Sequence, residues 1–579
     1  MNSQSQNLIK GSEILIKTLI FEKIEYIFGY PGGAIMPIYD ALFYYKKYIS
    51  HILTRHEQGA IHAAQGYARV SGKVGVCFTT SGPGATNLIT GLADALIDST
   101  AILCITGQVS SNLLGTDAFQ ETDIIDISIP VTKWNFQVQN AKEISYIISK
   151  GIFLAKSGRP GPVLIDITKD AQLELFNFYY KKFFLKKNFF LKKKINLEKK
   201  INLEKKINLE QIEKTTTVIN KSRRPLILIG QGVILANAEK ELKFFLKKTN
   251  IPAASTLLGL GTLKKKNFLY MGMLGMHGNY PPNMLTNQSD VILAIGMRFD
   301  DRVTGDINQY GKKAKIIHID IDESEIKKTI NPNIFLVGNC KKILKLLLFK
   351  IKKKFYNKWI EKFNFLKFKE KKEVINNDFN TNKIEITMGE VINFINFYKK
   401  NNTVLVTDVG QHQMSASRYF NFTCKKSQIT SGGLGTMGFS LPASIGAKIG
   451  LKNNQIICIV GDGGIQMTIQ ELGTIMQYNL AIKIILLNNN FLGMVRQWQE
   501  LFFEKRYSFT KIKNPNFMKI CEAYGINSKK IFKKKILKKN IKFLLNQTKS
   551  YLLEIIIEKE YNIYPIIPPG NSLDDFIIK

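Results

Sequence analysis

Short apolar runs alternate with longer amphipathic segments along most of the chain. The short runs are rich in Val, Ile and Leu, whereas the segments between them repeat apolar residues at helical spacing. An unbroken apolar run is typical of a strand that is buried on both faces of its sheet. Strands that alternate with helices in this way predict parallel sheets covered by helices, and therefore an α/β fold.

Three blocks of the chain carry this alternation. The strand-like runs read VGVCFTT, AILCITG and PVLIDIT in the first block, PLILIGQG, VILAIG and AKIIHIDID in the second, and TVLVTDVG, QIICIVGDGG and IKIILLNNN in the third. We predict that each block is a doubly wound domain with its own parallel sheet. Ligands of such sheets lie outside the carboxyl ends of the strands, so polar residues directly after the runs are the candidates for function.

Two stretches rich in Lys, Phe and Asn interrupt the pattern. The first contains the repeated hexapeptide INLEKK, whose period fits neither a heptad nor strand alternation. The second follows the middle block and is typical of a helix with a connecting segment. We predict domains at residues 1–175, 215–345 and 383–579, joined by linkers at 176–214 and 346–382.

The formal net charge of +36 raises two alternatives for the partners of the chain. A strongly basic protein can bind nucleic acid or an anionic membrane surface. The lysines concentrate in the linker-like stretches, however, and no recognised nucleic-acid motif accompanies them. We interpret the charge as compositional drift, as in the reduced genome of an endosymbiont or a plastid, and expect no nucleic-acid partner.

The apolar runs and the cysteines indicate the cellular compartment. No apolar run is long enough to span a bilayer, and the first residues lack the basic and apolar regions of a secretory signal. The six cysteines form no C-x-x-C pair, which favours reduced, buried thiols over disulfides or a zinc site. We therefore expect no membrane partner and a cytoplasmic location, with the plastid stroma as the less favoured alternative.

A GDG motif and a later NN pair form the first candidate site. Asp462 follows one apolar run of the third block, and Asn489 follows the next run 27 residues later. A carboxylate and a carboxamide on adjacent strand ends suit Mg²⁺, and the backbone of Gly463 and Gly464 suits phosphate oxygens. A lone GDG also fits an ordinary tight turn. A GDG that is followed by NN at this spacing resembles the magnesium and diphosphate motif of thiamine-diphosphate enzymes. The resemblance implies that Asp462 and Asn489 are metal ligands.

Glu57 precedes an apolar helix in the segment RHEQGAIHAA. An acid in the first turn of a helix is favoured by the helix dipole, and this is the plain alternative for Glu57. Together with the preceding GYPGGA turn, which contains Gly33, the segment resembles the pyrimidine-binding block of thiamine-diphosphate enzymes. The resemblance implies that Glu57 hydrogen-bonds the aminopyrimidine of the cofactor and activates it, and that Gly33 lies among the catalytic residues.

Further cofactor contacts follow from the same resemblance. GQHQM supplies Gln411 and His412, and SGGLGTMGFSLP supplies Gly435 and Met437. In the resembled family, the carbonyl at the position of Gly435 holds the amino group of the pyrimidine, and the side chain at Met437 supports the bent cofactor. Ordinary core filling is the alternative for Met437. Met494, in GMVRQWQ, is assigned to the cofactor in the same way.

The order of the motifs narrows the resemblance to one family. From about Gly11 to the end, apart from the two Lys-rich stretches, the chain resembles acetolactate synthase (acetohydroxyacid synthase) large subunits. Pyruvate oxidase, glyoxylate carboligase and benzoylformate decarboxylase share the core motifs. The motifs that carry the resemblance are GYPGGA, RHEQGA, TSGPGATN, GTDAFQE, SGRPGPVLID, MLGMHG, RFDDRVTG, HIDID, GQHQM, SGGLGTMG, GDGGIQM and GMVRQWQ.

Three features favour acetolactate synthases among these relatives. Arg302, in RFDDRVTG, suits the carboxylate of a second 2-keto acid, although an ion pair with a neighbouring aspartate is the alternative. Trp498, in RQWQ, suits the extra methyl group of 2-ketobutyrate, with a core tryptophan as the alternative. The family also places residues at the positions of Phe119, Gln120 and Lys169 near the reacting carbons, from the neighbouring subunit.

The middle block resembles the FAD-binding region of the same family. Its Gly-rich turns follow strands, and acidic residues follow later strands, as a dinucleotide requires. The flavin of this family is largely structural. The chain departs from the family pattern at Asn339, where it reads VGN and the family commonly reads VGD. The loss of this acid predicts weaker FAD binding. The residues assigned to FAD are Arg159, Asn279, Arg298, Asp300, Asp320 and Asp322.

The resemblance implies the thiamine-diphosphate-enzyme fold and one reaction. Pyruvate loses carbon dioxide, and its two-carbon unit is joined to a second pyruvate or to 2-ketobutyrate, in the first common step of branched-chain amino acid biosynthesis. The implied cofactors are thiamine diphosphate, Mg²⁺ and FAD, and the implied partners are a second copy in a homodimer or tetramer and a small regulatory subunit. The alternatives are another FAD-containing thiamine-diphosphate enzyme, such as pyruvate oxidase or glyoxylate carboligase, and a lysine-rich binding protein that has lost catalysis.

Overall fold

A parallel six-stranded sheet forms the first domain of the computed structural model, which describes residues 8–180, 182–183, 207–379 and 384–578. The strands are β1 (Leu8–Lys10), β2 (Tyr26–Gly29), β3 (Ser50–Leu53), β4 (Gly75–Thr79), β5 (Ile102–Gln108), β6 (Trp134–Val138), β7 (Pro162–Thr168) and β8 (Leu175–Asn177). The order in the sheet is β3-β2-β4-β5-β7-β6, and β1 pairs with β8 in a separate antiparallel ribbon. The helices are α1 (Gly11–Phe21), α2 (Met36–Tyr45), α3 (Glu57–Ser71), α4 (Pro83–Thr86), α5 (Ile89–Ile97), α6 (Ile124–Ser128), α7 (Ala141–Lys156) and α8 (Lys169–Leu173).

The central domain contains a second parallel sheet. Its strands are β9 (Pro225–Ile229), β10 (Ala253–Ser255), β11 (Tyr270–Met273), β12 (Val291–Ile295), β13 (Lys315–Asp320) and β14 (Ile334–Val337), in the order β11-β10-β9-β12-β13-β14. Its helices are α9 (Leu209–Lys221), α10 (Gln231–Leu235), α11 (Glu239–Thr249), α12 (Tyr280–Thr286), α13 (Asp301–Thr304) and α14 (Cys340–Lys350). After it come α15 (Asn357–Glu370), a π-helical turn (Lys371–Ile375) and α16 (Asn376–Asp378).

The third domain repeats the arrangement. Its strands are β15 (Val404–Thr407), β16 (Gln428–Ile429), β17 (Ile456–Gly461), β18 (Ile482–Asn488), β19 (Asn527–Ile531) and β20 (Tyr551–Ile556), in the parallel order β16-β15-β17-β18-β20-β19. Its helices are α17 (Met388–Tyr398), α18 (Gln411–Tyr419), α19 (Ser440–Gly450), α20 (Asp462–Met467), α21 (Leu472–Gln477), α22 (Gly493–Phe502), α23 (Phe517–Ala523) and α24 (Leu537–Asn546).

The inner strands of all three sheets are buried on both faces. Every residue of β4, β5, β7, β9, β12 and β18 is buried. Helices cover both sides of each sheet, which removes the polar face that an open sheet would present and explains the unbroken apolar runs. The prediction of an α/β fold with three doubly wound parallel sheets is confirmed.

The predicted domain boundaries fall close to, but not at, the ends of elements. Helix α9 begins at Leu209, inside the predicted linker 176–214, and α15 lies inside the predicted linker 346–382. Most of the INLEKK repeat lies outside the described residues. The boundaries therefore stay a prediction.

The cysteines are free thiols, and all but Cys424 are buried. This agrees with the expectation from their spacing. Among the described residues, no helix is both long and apolar enough to cross a lipid bilayer.

The first and third domains meet where α3 packs on α19. A Cβ atom at Gly66 would lie 2.0 Å from the carbonyl oxygen of Ala443, and one at Gly446 would lie 1.7 Å from that of Ala63. The helix backbones are therefore in direct contact, and only glycine fits at these two positions. This contact fixes how the first domain sits on the third within one chain.

We expect Gly446→Ala to lower the apparent melting temperature, because the added methyl group must push α3 and α19 apart. Overpacking of this kind typically costs about 1–3 kcal/mol, which exceeds what alanine gains over glycine in helix propensity. Thermal unfolding followed by circular dichroism measures the effect. The control is Lys243→Ala, on the exposed face of α11, and equal melting temperatures for the two variants would contradict the expectation.

Candidate active site

Asp462 and Asn489 lie side by side at the carboxyl edge of the third sheet. Asp462 follows β17 and Asn489 follows β18, and these strands are parallel neighbours in the sheet. Both side chains are buried and line a cavity of about 70 Å³. Burial raises the pKa of the Asp462 carboxyl. A buried carboxylate beside an amide oxygen is a donor set that fits a hard divalent cation.

Asn514 is a member of this cluster that the sequence did not predict. Its Nδ2 donates to Asp462 Oδ2 at 2.7 Å, and it lies 3.1 Å from Asn488 Oδ1 and 3.0 Å from Asn490 Oδ1. Gln466 Nε2 donates to the Oδ1 of Asn514 at 3.0 Å. The amide of Asn514 therefore orients Asp462 and ties the two strand ends together. It follows no strand and belongs to no motif, so no local signal marks it.

Two glycines shape the backbone at the start of α20. A Cβ atom at Gly464 would lie 2.5 Å from Asp408 Oδ1, and one at Gly463 would lie 2.8 Å from a methyl group of Leu492. An added side chain at Gly464 would therefore collide with the Asp408 carboxylate, and one at Gly463 would have to displace Leu492. The first N–H groups of a helix have no partner within the helix and attract anions, so this turn fits phosphate oxygens.

Gln411 and His412, at the start of α18, line the same cavity. The Nε2 of Gln411 donates to Gln497 Oε1 at 3.0 Å and to the carbonyl oxygen of Tyr561 at 2.7 Å. Burial lowers the pKa of His412 to about 4, so its imidazole is neutral at pH 7. Within the described part of the chain, Gln411 Oε1 and His412 Nε2 are buried without a hydrogen-bond partner. Such atoms indicate a polar ligand.

The remaining predicted cofactor residues border this region. Met437 lines the small cavity, and its methyl carbon lies 3.6 Å from where a Cβ of Gly463 would be. Gly435 has φ +75°, and the nearest atom to its Cβ position is 3.9 Å away, so the backbone here faces open space. Met494 lines both this cavity and a larger one next to it, which Gly435 also lines. The sequence-predicted cofactor residues of the third domain therefore lie together.

Glu57 lies at the first turn of α3, on the carboxyl side of the first sheet. Its side chain is half-buried, and its Oε2 accepts a hydrogen bond from Asn87 Nδ2 at 3.0 Å. A Cβ atom at Gly84 would lie 3.5 Å from Glu57 Oε1. Gly33 follows β2 at the same sheet edge, and a Cβ there would meet no atom within 4 Å. Glu57 therefore has one amide partner and lies next to glycine-lined space.

The segment with Phe119 and Gln120 belongs to the same sheet edge. Phe119 is 88% exposed, and Gln120 has φ +60°. The backbone of Gln120 lies against Gly82, where an added Cβ would be 2.9 Å from the Gln120 carbonyl oxygen. Lys169 directly follows β7 and is exposed.

The two halves of the predicted site do not share a cavity within one chain. Within the residues that the structure describes, the cavities lined by Asp462 and by Arg302 have no contribution from the first-domain residues predicted to contact thiamine diphosphate or the reacting carbons, although Arg159, assigned to FAD, lines the larger one. The first-domain residues that stay apart from the cofactor residues of the third domain are Gly33, Glu57, Phe119, Gln120 and Lys169. A single chain therefore carries two separate half-sites.

A cavity of about 850 Å³ lies where the three domains meet. It opens at the carboxyl ends of the central strands, and its size fits a large organic ligand. Burial raises the pKa of Asp320 to about 6 and raises that of Asp300. The residues assigned to FAD that line it are Arg159, Arg298, Asp300 and Asp320.

Arg159 joins the first and central domains at the rim of this cavity. Its Nε donates to Ser99 Oγ at 2.8 Å, and its Nη1 donates to Glu325 Oε1 at 2.7 Å. Its Nη2 donates to the carbonyl oxygen of Ile97 at 3.1 Å. The guanidinium therefore fixes one wall of the cavity by contacts on both sides of the domain boundary.

Asn279 and Asp322, which were also assigned to FAD, do not line the cavity. Asn279 Oδ1 accepts from the amide of Met273 at 2.9 Å, and its Nδ2 donates to Glu370 Oε1 at 3.0 Å. Asp322 Oδ1 accepts from the amide of Ser324 at 3.0 Å. Asn279 thus connects a turn to α15, and Asp322 Oδ2 lies 3.5 Å from Nη1 of Arg159, which lines the cavity. These contacts could not be anticipated from the motifs.

Asn339, the departure noted in the sequence, lines the large cavity. Its Oδ1 also accepts from the amide of Lys341 at 2.9 Å and so caps α14. Asparagine is among the preferred residues at this position of a helix. The side chain therefore stabilises the helix whether or not it contacts a ligand.

Arg302 and Trp498 come together from two different domains. The central carbon of the Arg302 guanidinium lies 5.7 Å from the Trp498 ring centroid, and both residues line the large cavity beside Gly435 and Met494. The nearest acid, Asp301, lies 3.7 Å from Arg302 Nε, and the side chains are 55% and 80% exposed. Exposed pairs of this kind are weak, so the guanidinium stays available for a carboxylate. The indole nitrogen of Trp498 is buried and has no partner among the described residues.

Family models match all three domains. Residues 9–127 match the N-terminal TPP binding domain of thiamine pyrophosphate enzymes, residues 212–347 match the central domain, and residues 408–555 match the C-terminal TPP binding domain. Each matched range falls on a different one of the three sheets. They agree with the thiamine-diphosphate resemblance of the motifs.

Comparison with curated relatives identifies the group of thiamine pyrophosphate enzymes that the chain resembles along nearly its whole length. The chain is 42% identical to the probable acetolactate synthase large subunit of Methanococcus aeolicus, over 98% of this chain and 95% of the relative. It is 41% identical to the acetolactate synthase isozyme 2 large subunit of Escherichia coli (strain K12), over 99% and 100%. It is 40% identical to the large subunit of Buchnera aphidicola subsp. Schizaphis graminum, over 99% of both chains. The chain belongs to the acetolactate synthase large subunits of the thiamine pyrophosphate enzyme family.

Proposed function

We propose that this chain removes carbon dioxide from pyruvate and joins the remaining two-carbon unit to a second 2-keto acid. The product is 2-acetolactate with pyruvate as acceptor, and 2-aceto-2-hydroxybutyrate with 2-ketobutyrate. The observation that carries this proposal is the pairing of Arg302 with Trp498 at a cavity bordered by predicted cofactor residues. A cation beside a flat apolar surface suits an acceptor with a carboxylate at one end and an alkyl group at the other.

Thiamine diphosphate, when bound, supplies the carbanion chemistry that this reaction requires. We assign its diphosphate to the N–H groups at the start of α20, around Gly463 and Gly464. Asp462 and Asn489 would hold Mg²⁺, and the unpartnered atoms of Gln411 and His412 would face the same ligand. The two glycines of this turn and these buried polar atoms support the assignment.

Glu57 would hold a proton at a ring nitrogen of the aminopyrimidine. This task requires a carboxyl group shielded from water, yet Glu57 is only half-buried within one chain. We infer that the third domain of a second copy covers Glu57, so that the enzyme is at least a homodimer. The exposed Phe119 would become buried in the same contact.

Arg302 would bind the acceptor carboxylate through its planar guanidinium. Trp498 would contact the acceptor's alkyl group and hold Arg302 in place through the ring contact. The proposed site thereby distinguishes acceptors by the size of the alkyl group.

We assign FAD to the large cavity. Arg159 and Arg298 would contact its diphosphate, and Asp300 and Asp320 would contact its hydroxyl groups. Asn279 and Asp322 would support the neighbouring turns instead of touching the flavin. The cavity size and the convergence of polar groups at strand ends support this assignment.

A small regulatory subunit is the partner that we propose beyond the second copy. The relatives are named large subunits, which supports it. A tetramer, the bacterial cytoplasm and, as the alternative, the plastid stroma stay predictions from the sequence.

The variant Glu57→Gln tests the proposed reaction. We expect it to lower acetolactate formation at least about 100-fold, because an amide cannot exchange a proton with the pyrimidine. The assay combines pyruvate, thiamine diphosphate, Mg²⁺ and FAD, and measures acetolactate against acetate and hydrogen peroxide. Glu143→Gln, which changes the matching first-turn acid of α7, is the control. Acetate with peroxide as the main products would instead make the chain an oxidase.

The variant Asn514→Ala tests the cation site. We expect the Mg²⁺ concentration needed for half-maximal binding of thiamine diphosphate to rise about 10–100-fold, because Asp462 loses the amide that orients it. Fluorescence titration of the cofactor at varied Mg²⁺ measures this. Asn516→Ala removes only the cap of α23 and should leave the Mg²⁺ requirement unchanged. A similar shift in both variants would argue against the assignment.

The variant Trp498→Leu tests the acceptor contact. We expect the ratio of 2-aceto-2-hydroxybutyrate to acetolactate, measured with equal pyruvate and 2-ketobutyrate, to fall about 10-fold, in line with what a pocket contributes per methylene group. Trp498→Phe keeps an aromatic ring and should retain most of the preference. An unchanged ratio in Trp498→Leu would remove Trp498 from the acceptor site.

A further inference from the structure

A fully buried carboxylate of the first domain holds the glycine-rich segment 431–437 of the third domain. Asp98, directly after α5, accepts hydrogen bonds from the amides of Gly432 and Gly433, both at 2.8 Å. The two bonds go to different oxygens of the carboxylate. A Cβ at Gly433 would lie 1.9 Å from a methyl carbon of Ile97, so the segment is pressed against the end of α5.

Arg69, in the last turn of α3, completes the contact from the side of the first domain. Its Nη2 lies 2.9 Å from Asp98 Oδ2, and its Nη1 donates to the carbonyl oxygen of Thr430 at 2.5 Å. Its Nε donates to Thr100 Oγ1 at 3.1 Å, and the side chain is almost entirely buried. Buried charges are stable only when paired and hydrogen-bonded, and this pair meets both conditions.

Asp94, one helical turn before Asp98, holds the same segment at a second point. Its Oδ1 accepts a hydrogen bond from the hydroxyl group of Ser431. Ser431 Oγ in turn accepts from the amide of Thr436 at 2.8 Å, which closes the segment into a loop. Gly435, whose backbone faces the large cavity, lies within this loop, and Met437 follows it.

We propose that Asp98 is a positioning residue for the thiamine-diphosphate site. Through Gly432 and Gly433 it sets the course of the backbone that presents Gly435 and Met437 to the cofactor. The segment has few side chains of its own to anchor it, because three of its seven residues are glycine. Its position is therefore set by the first domain of the same chain. This proposal rests on the cofactor site proposed above.

The test is hydrogen–deuterium exchange of the full chain, read by mass spectrometry on peptides that cover residues 430–440. In Asp98→Asn one glycine amide loses its acceptor, and Arg69 loses the nearer of its two carboxylate partners, which leaves Asp94 at 3.7 Å. We expect exchange in these peptides to become about 10-fold faster and the Kd for thiamine diphosphate at saturating Mg²⁺ to rise about 10-fold, as for the loss of one hydrogen bond to a charged group.

Two further variants separate positioning from general stability. Asp166→Asn changes an equally buried aspartate of the first domain, whose side-chain partners are Thr106, Gln108 and Gln137, and should leave exchange at 430–440 unchanged. Ser431→Ala is milder and should speed exchange at the same peptides even if Asp98→Asn does not fold.

Slow exchange at 430–440 in both Asp98→Asn and Ser431→Ala would overturn the proposal, as would equal acceleration in Asp166→Asn. Faster exchange with an unchanged Kd for thiamine diphosphate would also overturn it, because the segment would then be held without serving the cofactor. Exchange is measured without turnover, so a failure of the acetolactate assay would reject the proposed reaction and leave the exchange result standing.

Discussion

The backbone contact between α3 and α19 determines where both half-sites lie. Gly66 and Gly446 allow each helix to meet carbonyl groups of the other, so the two helix backbones touch at these points without a side chain between them. Glu57 begins α3, and α19 follows shortly after the segment 431–437. Because packed interiors are nearly incompressible, a shift of either helix would move a half-site with it. The position of the cofactor residues is thus a property of the domain contact as much as of the loops.

Polar groups around the site fall into two kinds. Some hold the walls and are hydrogen-bonded on every nitrogen, as in Arg159, whose Nε, Nη1 and Nη2 donate to Ser99, Glu325 and the carbonyl oxygen of Ile97. Those that face the cavities include Gln411 Oε1, His412 Nε2 and Trp498 Nε1, which are buried without partners within the described residues. Leaving such groups unpaired costs free energy, so the unpaired atoms that line these cavities are ones that a bound ligand can satisfy.

Residues at strand ends were predictable from the sequence, and residues that act through distant contacts were not. Asp462 and Asn489 each follow an apolar run, and parallel strands bring their ends to one edge, so pattern and geometry agree. Asn514 and Asp98 have no such signal, since their roles arise only when segments remote in sequence meet. The motifs also grouped Asn279 with the FAD contacts, and they gave no sign that its amide hydrogen-bonds the backbone of Met273 and the side chain of Glu370, 91 residues away. The three sheets were predictable because burial on both faces leaves unbroken apolar runs, whereas linker boundaries depend on where helices happen to begin.

Helix α3 carries Glu57 at its first turn and Arg69 at its last. A helix of this length spans roughly 20 Å at about 1.5 Å per residue. In the proposed homodimer, Glu57 faces the cofactor held by the other subunit, while Arg69 and Asp98 brace the cofactor segment of their own. Helix α3 of each subunit would then contact both catalytic centres. The two copies of α3 would therefore connect the centres to each other twice. When a cofactor binds and orders one centre, the mobility of the other centre would fall as well, with no change in how the subunits are arranged.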